Sequence, residues 1–152
     1  MMADNRVRTA VDFVARELSG IYPPGEVRSM TRLAFAHYFA LSPTDLVLQA
    51  EATLTESELL KVLHLVRELR QERPIQYILG EAWFDGLRLT VGPEVLIPRP
   101  ETEELVAWIA DTVQAEGLQA PHMLDIGTGS GCIPLALKTR LPEAQLAAWD
   151  VS

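Results

Sequence analysis

The chain has 152 residues, of which 48% are hydrophobic and 22% are charged, and its net charge at pH 7 is −8. This composition fits one or two small globular domains and excludes an intrinsically disordered chain. No apolar run approaches the roughly 20 residues that a membrane span needs, and the polar segment 1–8 lacks the apolar core of a signal peptide. The single cysteine, Cys132, excludes an internal disulfide. No Cys/His cluster has metal-ligand spacing, so the sequence predicts a cytoplasmic protein without a metal site.

The negative charge lies mainly in the second half of the sequence. Residues 1–74 hold 10 acidic and 9 basic side chains, whereas residues 75–152 hold 11 acidic and 4 basic ones. An acidic half lacks the positive surface that phosphate backbones require, so no direct binding of nucleic acid is expected. A solubilising surface is the simplest interpretation of this surplus of acids.

Apolar residues at helical spacing predict the first two helices. The first stripe ends at Gly20, and residues 22–25 (YPPG) break the chain before the second helix. The second helix is predicted from about Glu26 to Phe39. The apolar positions of the two stripes are Val7, Val11, Val14 and Leu18, followed by Leu33, Ala34, Tyr38 and Leu41.

Two capping signals predict further helix starts. Residues 42–45 (SPTD) place an acid three positions after a hydroxyl, and residues 55–58 (TESE) form a cleaner capping box. The long helix after the second box ends before Pro74. Helical stripes of this kind belong far more often to a core than to a partner groove, so we predict a helical bundle. The predicted apolar face of this helix is Leu59, Val62, Leu63, Val66 and Leu69.

The pattern changes from helical to alternating at Ile75. Asp85 and Gly86 lie between two short apolar runs. Asp-Gly predicts a hairpin there, because both central turn positions need a positive φ. Pro100 then suits the first turn of a helix, whose dipole is complemented by the acids that follow. This helix is predicted to end at Gly117 and to face inward through Leu105, Ile109 and Val113.

The last part of the sequence predicts a strand–loop–helix–strand unit. A short apolar strand at 123–126 (MLDI) leads into a glycine loop at 127–131 (GTGSG). A helix at 133–140 and a second strand at 146–149 follow. One such crossover predicts a parallel sheet, and hence an α/β domain.

A glycine loop followed by an acid predicts a ligand site. Glycines let the backbone approach a ligand closely, with free amide groups pointing outward. Asp150 ends the next strand about 20 residues after Gly127, where an acid can accept both hydroxyls of a ribose. A dinucleotide fingerprint would need glycine or alanine where Cys132 or Pro134 stands, so that cofactor class does not fit. A tight turn that only packs a strand against a helix is the alternative interpretation.

Four segments carry a resemblance to a known family. Residues 125–131 (DIGTGSG) resemble the first motif of class I methyltransferases. Together with residues 74–81 (PIQYILGE), 83–84 (WF) and 96–103 (LIPRPETE), they resemble the peptide-chain release factor glutamine methyltransferases. The segment at 97–103 (IPRPETE) is the most specific of the four. Segments with its role in the family lie close to the bound cofactor.

The resemblance runs through the whole chain in order and implies an α/β fold. It implies a small helical substrate-recognition domain at 1–74 and a β-hairpin linker at 75–98. The start of a class I (Rossmann-like) methyltransferase domain follows at 99–152 and is expected to be cut off after its second strand.

The implied activity is transfer of a methyl group from S-adenosylmethionine to a glutamine side-chain amide. The acceptor would be the glutamine in the Gly-Gly-Gln loop of class I peptide-chain release factors, which makes a release factor the expected partner. The three glycines would pass under the methionine end of the cofactor, and Asp150 would bind the ribose hydroxyls. Asp125 would orient the loop or meet the cofactor's amino group. The implied cofactor-binding residues are Asp125, Gly127, Thr128, Gly129, Gly131, Asp150, Arg99 and Glu101.

Structural roles are open alternatives for some of these residues. Asp125 could instead cap or brace the loop. Glu101 could satisfy only a helix N-terminus, and Arg99 beside it could shape the cofactor pocket or have a structural role.

The family's acceptor motif, Asn-Pro-Pro-Tyr, does not occur in this sequence. Asn5 is the only asparagine, and residues 22–24 (YPP) lie in the helix break. We therefore predict no catalytic residue and expect no methyl transfer by these residues alone. Two parallel strands leave apolar faces uncovered, so residues 145–152 are expected to be loosely held or completed by another copy.

Two competing functions are left open, and the oligomeric state is not predicted. A related methyltransferase could act on adenine or another planar amine, although the acidic second half argues against a nucleic-acid substrate. A non-catalytic module could instead dock a release factor, which predicts partner binding by residues 1–74 without cofactor.

Overall fold

The computed structural model describes residues 2–151. The chain divides into two compact units, the first ending at Leu79 and the second beginning at Gly80. Within residues 2–151, no helix is both long enough and apolar enough to cross a membrane.

The first unit is helical, as the apolar stripes predict. A continuous apolar core fills it and includes Val14, Leu18, Phe35 and Leu65, all fully buried. The helices are α1 (Val7–Leu18), α2 (Pro24–Phe39), α3 (Asp45–Leu48), α4 (Glu56–Leu69) and α5 (Ile75–Leu79).

The predicted capping box of α4 is confirmed, while at residues 42–45 the expected side-chain bonds form but the N-cap of α3 is Thr44, which makes no side-chain capping bond. At the start of α4, the Thr55 amide donates to Glu58 Oε2 (2.7 Å), and the Glu58 amide donates to Thr55 Oγ1 (3.3 Å). Ser42 and Asp45 exchange an equivalent pair of bonds, at 3.0 and 3.1 Å, before α3. These bonds satisfy amides that the first helical turn leaves without partners. The Thr55 donors also hold the pKa of Glu58 below its ordinary value.

The buried faces of α2 and α4 differ from the prediction at individual positions. Leu63 was predicted inward but is 44% exposed, whereas Leu65 is 0% exposed. Leu33 of α2 is likewise exposed. Helix α4 carries more leucines and valines than one face can hold, so hydrophobic spacing alone includes Leu63 and misses Leu65. The predicted Val62, Val66 and Leu69 are buried. The buried positions on α4 are Val62, Leu65, Val66 and Leu69.

Tyr22, in the break before α2, ties that break to the end of α4. Its hydroxyl donates to the Leu69 carbonyl at 2.8 Å, which satisfies one of the orphan acceptors of a helix C-terminus. We expect Tyr22→Phe to lower the free energy of unfolding by about 1 kcal/mol. Urea denaturation followed by circular dichroism measures this change. Tyr38→Phe is the control, since the Tyr38 hydroxyl has no hydrogen-bond partner among residues 2–151. Equal effects in both variants would contradict the assigned role of Tyr22.

The second unit contains the predicted hairpin and the predicted crossover. Its elements are β1 (Glu81–Phe84), β2 (Leu87–Thr90), α6 (Pro100–Ala115), β3 (His122–Ile126), α7 (Cys132–Arg140) and β4 (Gln145–Trp149). Strands β1 and β2 pair antiparallel, and Asp85 (φ 48°) and Gly86 (φ 76°) form the turn, which confirms the hairpin. Strands β3 and β4 pair in parallel and α7 connects them, which confirms the strand–helix–strand unit.

The hairpin packs into the core of the second unit. Phe84 and Leu89 lie in one apolar cluster with Val106 of α6 and with Ala136 and Leu137 of α7. The packing boundary therefore falls between residues 79 and 80. The predicted functional division at residues 74 and 98 stays a prediction.

Residues 75–79 and α6 show two local differences from the predicted pattern. Ile75 is buried in the core of the first unit, and the segment it begins is the helix α5. On α6, Leu105 was predicted inward but is 40% exposed, while Val106 and Ala110 are buried. The other two predicted positions are confirmed, since Val113 is buried and Ile109 packs against the core cluster.

One face of the parallel pair is apolar and exposed. Leu124, Ile126 and Trp149 are 62%, 66% and 60% exposed, respectively. Ile126 is in register with Trp149 and Leu124 with Ala147, so these four side chains share a face. Parallel sheets are ordinarily covered on both faces. The uncovered face agrees with the sequence-based expectation, while the expected looseness of the tail stays a prediction.

Candidate functional site

The glycine loop lies at the carboxyl ends of β3 and β4. The Gly127 amide donates to the Trp149 carbonyl at 2.8 Å, and the Thr128 amide donates to the same oxygen at 3.3 Å. The Gly131 amide then donates to the Thr128 carbonyl at 2.9 Å. The end of β4 therefore anchors the start of the loop, and the loop closes on itself before α7.

The loop glycines adopt a conformation that other residues rarely accept. The φ angles of Gly127 and Gly129 are 78° and 54°. A Cβ placed on either glycine would meet nothing within 4 Å. The glycines are therefore needed for backbone conformation and not to relieve crowding. The space outside them leaves the backbone open to a ligand.

Helix α7 begins directly after the loop without a side-chain cap. Its N-cap is Gly131 (φ 72°), which has no side chain to accept from the first-turn amides. The amides of Cys132 and Ile133 therefore point out of the helix end. Cys132 is a free thiol whose side chain is partly buried against the apolar cluster of the second unit.

Asp150 joins the end of β4 to the middle of the glycine loop. Its Oδ2 accepts from the Gly129 amide at 2.7 Å, and its Oδ1 accepts from the Val151 amide at 2.8 Å. A carboxylate has about four lone-pair sites, so one such group can contact the loop and a ligand at the same time. Sequence spacing predicted the position of Asp150 but not its bond to the loop.

Two buried polar atoms beside the loop have no partner. Asp125 Oδ2 and Thr128 Oγ1 are inaccessible to solvent and have no hydrogen-bond partner within residues 2–151. Leaving such groups unpaired costs about 1–3 kcal/mol each, so native proteins rarely do so without a functional reason. Two of them lie next to one glycine loop, which makes this loop the candidate ligand site.

Arg99 and Glu101 are predicted ligand residues that do not join this cluster by any bond. Both are exposed at the start of α6, and Arg99 is its N-cap without a side-chain capping bond. Across residues 2–151, neither side chain makes a hydrogen bond or ion pair with the glycine loop. Glu103 makes the contact that the sequence did not predict, since its Oε1 accepts from the Asp85 amide at 2.9 Å.

The cluster combines carboxylate acceptors with amide and hydroxyl donors. The other six predicted residues meet here: Asp125, Gly127, Thr128, Gly129, Gly131 and Asp150. This set suits a ligand that carries hydroxyl and amino groups. In the described part of the chain, no group of three or more His, Cys, Asp or Glu could hold a metal ion.

Comparison with known proteins gives consistent matches. The family described as "PrmC N-terminal domain" matches residues 9–80. The release factor glutamine methyltransferase of Bacteroides thetaiotaomicron is 39% identical over 140 residues, covering 92% of this chain and 49% of that protein. That of Flavobacterium psychrophilum is 42% identical over 136 residues, covering 89% and 48%. That of Chlorobaculum tepidum is 44% identical over 130 residues, covering 84% and 44%.

These matches cover most of this chain but only part of each relative. The chain spans about half the length of the curated relatives it matches. The matched stretches include both the helical unit and the unit with the glycine loop, in agreement with the four segments quoted from the sequence. The chain therefore belongs to the release factor glutamine methyltransferase family and carries the N-terminal domain of that family.

Proposed function

We propose that the glycine-loop site binds S-adenosylmethionine. The observation that carries this proposal is the pair of buried, partnerless atoms, Asp125 Oδ2 and Thr128 Oγ1. They lie beside a loop whose glycines leave its outer side open, as a close ligand requires. The cofactor, when bound, supplies an electrophilic methyl group.

Each residue of the cluster has a proposed role in holding this cofactor. Asp150 accepts from the ribose hydroxyls while it keeps the loop in place through the Gly129 amide. Asp125 accepts from the cofactor's amino group, and the Thr128 hydroxyl completes the polar contacts. Arg99 and Glu101, at the start of α6, line the cofactor pocket in this proposal.

The proposed reaction of the whole protein is N5-methylation of a glutamine in a peptide-chain release factor. The names of the relatives support a release factor as the partner and glutamine as the acceptor, in preference to adenine. By the family resemblance, the glutamine is that of the Gly-Gly-Gln loop, and the reaction takes place in the cytoplasm.

Methyl transfer is proposed for the whole protein and not for these residues alone. In the family's motif, an asparagine side chain binds the amide of the acceptor glutamine, and the only asparagine in this sequence is Asn5. Asn5 has a structural role, because its Nδ2 donates to the Leu54 carbonyl at 2.9 Å and its own carbonyl accepts from the Leu54 amide at 2.8 Å.

Thr128→Val tests the site through opposite effects on binding and on stability. We expect the affinity for S-adenosylhomocysteine to fall roughly 3- to 10-fold, because one hydrogen bond to the ligand is lost. The cofactor-free chain should be as stable as the wild type or more stable, because an unsatisfied buried hydroxyl is removed. Calorimetric titration and urea denaturation of the 152-residue chain measure the two effects.

Thr139→Val is the matched control, since the Thr139 hydroxyl lies on the exposed side of α7 and bonds the Leu135 carbonyl of its own helix. This variant should bind like the wild type. If the wild-type chain takes up no cofactor at millimolar concentration, the proposed site is wrong. If Thr128→Val loses stability but keeps its affinity, the hydroxyl has a structural role only.

A further inference from the structure

A hydrogen-bonded charge network connects the hairpin to α6 and α7. Its centre is Asp85, the first residue of the β1–β2 turn. The Asp85 amide donates to Glu103 Oε1 of α6 at 2.9 Å. The Asp85 carboxylate accepts two bonds from Arg140, the last residue of α7, one of them from Nε to Oδ2 at 2.8 Å and the other from Nη2 to Oδ1. These residues lie far apart in sequence, so the network joins three separate elements.

The geometry of this network distinguishes it from an ordinary surface ion pair. The Asp85 and Arg140 side chains are only 14% and 37% exposed. The contact is bidentate, which is the strongest form of an Arg–carboxylate pair. The Arg140 guanidinium also holds the pKa of Asp85 below its ordinary value. In another ion pair of the hairpin, Arg88 Nη1 lies 3.6 Å from Glu81 Oε2, and the arginine is 67% exposed.

Helix α7 connects this network to the ligand site. The helix has nine residues and is therefore about 13 Å long. Its last residue is Arg140, and its N-cap, Gly131, is the last glycine of the loop. Buried Ala136 and Leu137 fix its inward face between these two ends.

We infer that Asp85, Glu103 and Arg140 are positioning residues that fix the glycine loop through α7. The inference rests on the proposed function only for the identity of the ligand. A helix held at its far end by a bidentate bond cannot slide or turn freely, so the loop at its near end keeps one arrangement. Loss of the network allows α7 to shift and lets the loop sample other arrangements.

The charges around Arg140 predict that substitution of Arg140 and substitution of Asp85 will have unequal effects. Asp85, Glu103 and Asp111 all raise the pKa of Arg140, so this one cation is surrounded by three acids. Arg140→Gln leaves those acids without their shared cation. Asp85→Asn removes one acid and keeps a residue that tolerates the positive φ of the turn. The arginine variant should therefore have the larger effect.

Amide hydrogen exchange of the cofactor-free 152-residue chain tests the inference directly. We expect exchange at residues 127–133 to be about 10-fold faster or more in Arg140→Gln, with a smaller increase in Asp85→Asn, because a charge-assisted pair is lost. Arg140→Lys keeps the charge but cannot make the bidentate contact, so it should restore only part of the protection. Arg88→Gln is the matched control and should leave the loop unchanged.

The pattern of exchange separates positioning from general stabilisation. Faster exchange confined to the loop and α7, with partial rescue by lysine, supports the inference. An equal increase across β1, β2 and α6 overturns it, as does an unchanged loop in both variants. If Arg140→Gln does not fold, Asp85→Asn and Arg140→Lys decide the question.

Cofactor titration then separates this inference from the proposed function. Loop exchange that changes as expected in a chain that binds no S-adenosylhomocysteine would leave the network standing and remove the proposed ligand. If the wild-type chain binds S-adenosylhomocysteine but the variants change neither the loop exchange nor the affinity, the proposed ligand stands and the positioning role of the network is wrong.

Discussion

Asp150→Ala is expected to weaken the binding of S-adenosylhomocysteine about 10- to 100-fold, because charge-assisted hydrogen bonds contribute roughly 1.5–3 kcal/mol each. The carboxylate has two functions in the proposed site. It accepts from the ribose hydroxyls, and its Oδ2 holds the Gly129 amide at 2.7 Å. Alanine removes both contacts at once, which makes this the largest binding effect we predict. Calorimetric titration of the full chain measures the change.

Two further variants separate the functions of Asp150. Asp150→Asn retains an oxygen for the Gly129 amide but loses the charge and one acceptor, so its affinity should lie between those of the alanine variant and the wild type. Glu143→Ala removes an equal charge from the exposed connection between α7 and β4 and should not affect binding. A change of less than about threefold in Asp150→Ala would exclude the ribose role, since even one lost charge-assisted bond exceeds it.

The features of the fold that could be predicted are those encoded locally. The capping box at Thr55, the Asp85–Gly86 turn and Pro100 at the first position of α6 each depend on residues only a few positions apart. Local hydrogen bonding and φ preferences determine them almost regardless of the rest of the chain. The strand–loop–helix–strand unit was predictable for the same reason.

Choices between neighbouring apolar residues could not be predicted. Leu63 and Leu65 are both leucines on α4, and only the arrangement of the other helices decides which one is buried. The same holds for Leu105 and Val106 on α6. Periodicity defines an apolar stripe but leaves its rotation about the helix axis uncertain by a residue.

The candidate site also contains some features that could be predicted from the sequence and others that could not. The loop glycines and Asp150 could be identified from spacing, because a strand–loop–helix unit fixes where they lie. The partnerless Thr128 hydroxyl could not, because burial depends on tertiary packing. The pairing of Asp85 with Arg140 was equally inaccessible, since the two residues are 55 positions apart. Arg99 and Glu101 were named only through the resemblance, and their role stays a prediction.

Phe84→Ala is expected to lower the free energy of unfolding of the second unit by about 3–5 kcal/mol, which is the usual cost of removing a buried phenylalanine. Phe84 is 1% exposed and lies in the core cluster with Val106 and Leu137. Most domains have only about 5–15 kcal/mol of stability, so the loss would populate an unfolded second unit. Hydrogen exchange with peptide resolution measures the two units separately.

Trp83→Ala provides the control for this prediction, because Trp83 lies on the opposite face of the same strand and is 63% exposed. Its removal should change the stability by no more than about 0.5 kcal/mol. A hairpin that acted only as a linker would tolerate both substitutions equally. If Phe84→Ala is as mild as Trp83→Ala, the hairpin is not part of the core. A selective loss would instead mean that the β1–β2 hairpin is needed to hold α6 and α7, and with them the glycine loop, in place.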